Sequence, residues 1–103
     1  MKAIVKEVGE RPRIEEVENE LATFQGLVGG YIEVLSMGDG VGLIVNEEGK
    51  LIGLPVNFGL GYDTINGTAV FVAFGNDGEF KDLTDLQIDT IMSSFYVRGE
   101  EEV

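Results

Sequence analysis

TAVFVAF (68–74) is the most apolar strand-like run of the chain, and its reading decides the fold. A β-branched and aromatic stretch that is hydrophobic on both faces suits neither an edge nor a half-solvated face, so it belongs in the middle of a sheet. The turn-forming Gly75-Asn76-Asp77-Gly78 follows it. Beyond that turn, Thr84-Asp85-Leu86-Gln87 has the form of a capping box, with Leu83 before the cap and Ile88 placed to staple it. Ile88, Ile91, Met92 and Phe95 recur at helical spacing, which predicts a helix with one apolar face as far as Tyr96.

Working towards the N-terminus, VGLIVN (41–46) and YIEVLSM (31–37) read as strands joined through Gly38-Asp39-Gly40. NELATFQGLVGG (19–30) sets Leu21, Phe24, Leu27 and Val28 on one helical face, with Asn19 as the expected cap and Gly29 as the left-handed stop. Gly26 weakens that helix by about 1 kcal/mol relative to alanine, so packing has to hold it. KAIVKEV (2–8) and RIEEVE (13–18), broken at Gly9 to Pro12, suit a hairpin. Asn46-Glu47-Glu48-Gly49 has the asparagine-first, glycine-last preference of a type I turn with a positive-φ glycine, which predicts residues 50–54 as a returning strand. The resulting order is β-β-α-β-β-β-β-α. The expected fold class is α+β: a single domain (1–98) with a mainly antiparallel sheet and two helices on one face, and an acidic tail (99–103) that frays.

A chain of 103 residues is sized for one core. It has no cysteine and no histidine, which removes thiolate nucleophiles, disulfides, zinc-thiolate sites and imidazole chemistry. No segment has the roughly 18 consecutive apolar residues of a membrane span, and the charged N-terminal run lacks a signal-peptide core, so a cytoplasmic setting is expected. With 19 acidic against 7 basic residues the net charge is -12, which opposes direct binding to nucleic acid or anionic lipid and favours neutral or basic partners. Residues 75–103 carry 8 of those acids and 2 of the bases, so half of the imbalance is C-terminal.

The paired carboxylates Glu15-Glu16 and Glu47-Glu48 fall on a strand edge and a turn, where solvation is the default, and no catalytic residue, metal site or cofactor is expected. The glycine-rich stretches around residues 38–42 and 59–61 lack the helix that a phosphate cradle requires. Pro55 to Asp63 reads instead as a loop between strands, and Asn57, Phe58, Tyr62 and Asp63 on it form the candidate ligand- or partner-binding loop. The aromatics either anchor the loop in the core or stack on a planar group that Asn57 and Asp63 orient. Asp82, Asp85 and Asp89, with Glu100, Glu101 and Glu102, form a candidate acidic surface. The three aspartates also suit the positive end of a helix, and the glutamates suit a solubilising tail.

MKAIVKE, VENELATFQGLVGGYIEV, NEEGKLIGLPVN and LTDLQI together resemble a family of short uncharacterised proteins, a domain of unknown function of phages, mobile elements and Gram-positive bacterial genomes. The resemblance implies no activity. It implies an accessory gene of a phage or mobile element, a setting that favours antagonists of host defence. The expected function is therefore a noncatalytic protein that binds a host protein through its acidic surface. The other expectation is a binder that sequesters a nucleotide-like or other planar metabolite. A monomer or a homodimer fits either, and the glutamates of 13–18 argue against pairing at that edge.

Overall fold

A computed structural model of the chain describes the backbone of residues 1–101 and the side chains of residues 1–95. Eight strands, all paired antiparallel, and two helices form one α+β domain. The apolar run at 68–74 becomes β7 (Ala69–Phe74), which lies third in the order β2 (Arg13–Glu16), β1 (Lys2–Lys6), β7, β4 (Val41–Asn46), β3 (Ile32–Gly38). Its central place is the one its composition requires. A strand not foreseen, β8 (Phe80–Lys81), pairs with the far end of β7. It takes up the line that β1 leaves, joined to it by Leu83 N–H donating to the Lys2 carbonyl (3.0 Å) and Lys2 N–H to Asp82 Oδ1 (2.8 Å).

Period-2 alternation divides the core in two. Val70 and Val72 of β7, Ile44 of β4 and Val5 of β1 face α1 (Leu21–Val28), whose Phe24 and Val28 are buried among them. Phe71, Ala73, Leu43 and Ile4 point the other way, towards Ile88 and Ile91 of α2 (Asp85–Glu101). The helices therefore lie on opposite faces, which corrects the expectation of one shared face. The reason is visible in β4, buried at all six positions: a sheet whose inner strands are apolar on both sides needs cover on both. Each face has its own aromatic cluster. Phe24 meets Phe80 edge-on at 5.4 Å and Phe80 meets Phe74 at 5.6 Å; opposite, Phe58 lies 5.1 Å from Phe95 and 6.2 Å from Phe71.

Local signals fared unevenly. The capping box forms as read, Gln87 N–H donating to Thr84 Oγ1 and Thr84 N–H to Gln87 Oε1. Gly29 takes the left-handed conformation at φ 79° that ends α1. Asn19 does not cap that helix. Glu20 is the capping residue, without a side-chain bond, and Asn19 Nδ2 donates instead to the Phe80 carbonyl at 3.0 Å, holding β8 against α1. α2 continues to Glu101, beyond both Tyr96 and the tail boundary drawn at residue 98.

Candidate functional site

Residues 46–66 are where sequence and structure part most. Gly49 N–H does bond the Asn46 carbonyl at 3.2 Å, as a turn should, and Asn46 Oδ1 reinforces it by accepting from Glu48 N–H at 2.8 Å. Residues 50–54 then fail to return as a strand, which corrects that expectation. Ile52 N–H reaches back to the Glu48 carbonyl, Gly53 N–H to Lys50 and Leu54 N–H to Gly49, so the chain coils through successive turns. Gly49 is not in the positive-φ region; it is needed because a Cβ there would stand 2.8 Å from the Asn66 carbonyl oxygen. The coil thus sits directly against the segment that follows.

That segment was expected as an irregular loop and is a hairpin, β5 (Val56–Leu60) and β6 (Asp63–Asn66), turning at Gly61 with φ 63°. It packs beside α2 through Phe58, Leu60 and Ile65. Being ordered, it divides the four predicted loop residues between two roles. Asn57 Nδ2 donates to the carbonyls of Lys6 and Gly67, both at 2.8 Å, and its Oδ1 accepts from Lys6 Nζ. Phe58 belongs to the aromatic cluster under α2. Tyr62 and Asp63 are exposed, with Asp63 accepting from Lys50 Nζ. That bond, helped by Thr64 N–H, holds the Asp63 carboxyl below the usual aspartate range. The structure does not bring the four together around one ligand.

It does create two depressions that alternation alone could not reveal. Between the coil, β6 and β3 lies a cleft of ≈ 210 Å³ whose charged lining is Glu33, Glu47, Asp63 and Lys50. Asp63 and Lys50 pair, and neither Glu33 nor Glu47 joins an ion pair among the described residues. Between the opposite end of β3 and α2 lies a groove of ≈ 620 Å³, walled by Met37, Val41, Phe71, Leu86 and Ile91, with Gln87 at its polar side. β3 runs from one to the other as the last strand of the sheet. Glu33, Leu35 and Met37 were not among the residues expected at a site, because strand order and not local pattern places them there.

The predicted acidic surface is only partly visible. Asp85 and Asp89 are exposed on α2, one turn apart, whereas Asp82 is engaged with the backbone of Lys2. The side chains of Glu100 and Glu101, and the whole of Glu102, lie outside the described residues. Among the described residues no three carboxylates are grouped to hold a metal ion, and no helix is long and apolar enough to cross a membrane.

Fold and surface together define a small α+β domain with an excess of acidic residues and a sheet that ends at β3. The chain belongs to the DUF3846 family, a domain of unknown function, whose family model matches residues 1–96. No curated protein and no solved structure matches it.

Proposed function

We propose that the protein is a noncatalytic accessory protein of a phage or mobile element that binds a host protein with a basic surface and so antagonises a host defence system. The observation that carries this reading is uncompensated surface acidity. Nineteen acidic groups face seven basic ones, so even complete pairing of the basic side chains leaves a net charge of -12. Such a field accelerates encounter with a basic partner and excludes polyanions. The competing idea, sequestration of a planar metabolite, needs Asn57 and Phe58 to face a ligand. Both are engaged inside the fold.

The test is purification of the partner from the native cell at low salt, followed by reconstitution from pure components across a salt series. A complex with a basic protein that weakens at least tenfold between about 50 and 300 mM salt is expected, since exposed charges are screened within about 10 Å at 0.1 M. Salt-indifferent binding, or turnover of a substrate by the protein alone, overturns the reading.

A further inference from the structure

The uncovered edge of β3 has a definite chemistry. Glu47 N–H bonds the Tyr31 carbonyl, so in the antiparallel ladder Glu33 and Leu35, two and four residues on, also direct their backbone groups to β4. The opposite ladder agrees: Phe74 N–H bonds the Gly40 carbonyl, which turns Gly42 and Ile44 to β7 and leaves Leu43 and Val45 for β3. Ile32, Val34 and Ser36 therefore present their N–H and C=O groups outward, and no strand among the described residues pairs with them on that side. Glu33, Leu35 and Met37 project on the α2 side, Glu33 and Leu35 lining the acidic cleft and Met37 the apolar groove. Glu33 and Met37 are four residues apart, about 13 Å along a strand.

We propose that β3 is a docking edge for an extended segment of a basic partner, which adds to the sheet as an antiparallel strand. In the direction of that segment, a bulky apolar side chain enters the groove beside Met37. Four residues later, on the same face, a lysine or arginine meets Glu33 and Glu47. This deepens the binding reading above and rests on it. Charge complementarity selects the occupant: the cleft has two carboxylates without a cationic partner among the described residues, and β3 has no basic residue to offer a second copy of itself. Two chains of net charge -12 also repel. Side chains opposite Glu33, Leu35 and Met37 would occupy non-hydrogen-bonded pair positions, where cross-strand contacts are closest.

The probe is an end-capped eight-residue peptide, threonine throughout except phenylalanine second, valine fourth and lysine sixth. Opposite β3 these three face Met37, Leu35 and Glu33, and the third and fifth residues direct their N–H groups to Ser36 and Val34. Titration into the intact protein, followed by amide NMR, should saturate below about 1 mM and protect the amides of Ile32, Val34 and Ser36 from exchange. N-methylation at the third and fifth positions should abolish binding, whereas N-methylation at the fourth should not. Replacing the lysine by glutamate, or shifting it by one position, should weaken binding at least tenfold. Ser36→Pro removes one outward N–H without touching the β4 ladder and should act likewise. Absence of saturation, indifference to the N-methyl pattern, shifts confined to Asp85 and Asp89, or a homodimer in light scattering that the peptide does not dissociate, each overturn the proposal. A partner that still binds with steep salt dependence after Ser36→Pro removes the docking edge alone. Loss of salt dependence removes the acidic-surface reading as well.

Discussion

Lys6 and Asn57, 51 residues apart, hold each other reciprocally: the Lys6 ammonium donates to Asn57 Oδ1 and Asn57 Nδ2 donates to the Lys6 carbonyl, both at 2.8 Å. Because Asn57 lies on β5 and Lys6 on β1, this pair fastens the second hairpin to the main sheet. It explains how a buried lysine is tolerated at the end of an apolar strand. The hairpin forms one wall of the acidic cleft, so the fastening also sets the shape of the candidate surface.

Asn57→Ala should destabilise the domain by about 2–4 kcal/mol, since it leaves the Lys6 and Gly67 carbonyls and one ammonium proton unmatched at once. Lys6→Met should cost less, and a double-mutant cycle in urea should return a coupling of about 1–3 kcal/mol. A purely additive result would show that the pair does not hold the hairpin. The pH dependence has a defined sign. Burial pushes the Lys6 ammonium below its ordinary pKa, an effect that nearby Glu10 partly offsets, so the unfolded chain binds this proton more readily than the folded one. The penalty is complete below the depressed value and fades as pH rises towards the unfolded lysine pKa. The stability of the natural chain relative to Lys6→Met should therefore improve on going alkaline.

Paired glycine substitutions separate close approach from helix propensity. At Gly49 an added Cβ meets the Asn66 carbonyl at 2.8 Å, a backbone atom that cannot swing aside. Gly49→Ala should cost about 1–3 kcal/mol and loosen the coil from β6. Gly26, inside α1 with no atom within 4 Å of its added Cβ, has no such constraint. Gly26→Ala should stabilise by up to about 1 kcal/mol. Thermal melts of both variants check the pair, and a harmless Gly49→Ala would mean that the coil is not pressed against the hairpin.

The contrast between those glycines shows which parts of this fold could be read from sequence. β7 was legible because being apolar at every position leaves one kind of place in a sheet, and α2 because Thr84 and Gln87 mark its start chemically. The side on which each helix packs was not, since the stripe of Phe24 and Val28 says that α1 covers something without saying which face. Residues 50–54 misled because Leu51, Ile52 and Leu54 satisfy strand propensity, whereas Asn46 and the approach of Gly49 to Asn66 impose a coil. The docking edge was invisible for a different reason. A lateral neighbour's absence is a property of strand order, and no local pattern in YIEVLSM encodes it.

Asp63 offers a measurement on the cleft itself. Its carboxyl is held low chiefly by the Lys50 hydrogen bond and secondarily by Thr64 N–H. A depressed carboxylate stabilises the fold above its unfolded pKa, and that contribution is lost as pH falls through the folded value. Both partners are well exposed, so solvent screening keeps the effect on stability small, and the titration is the sensitive readout. Side-chain carbonyl NMR should show the Asp63 midpoint rising towards the ordinary aspartate range in Lys50→Met. The remaining depression should come from Thr64 N–H. Lys50→Met also removes the cation that lines the cleft among the described residues, so a lysine-bearing extended peptide should bind this variant more tightly than the natural chain. An unchanged Asp63 midpoint would mean that the ion pair does not persist in solution. The cleft would then present three free carboxylates to a basic segment instead of two.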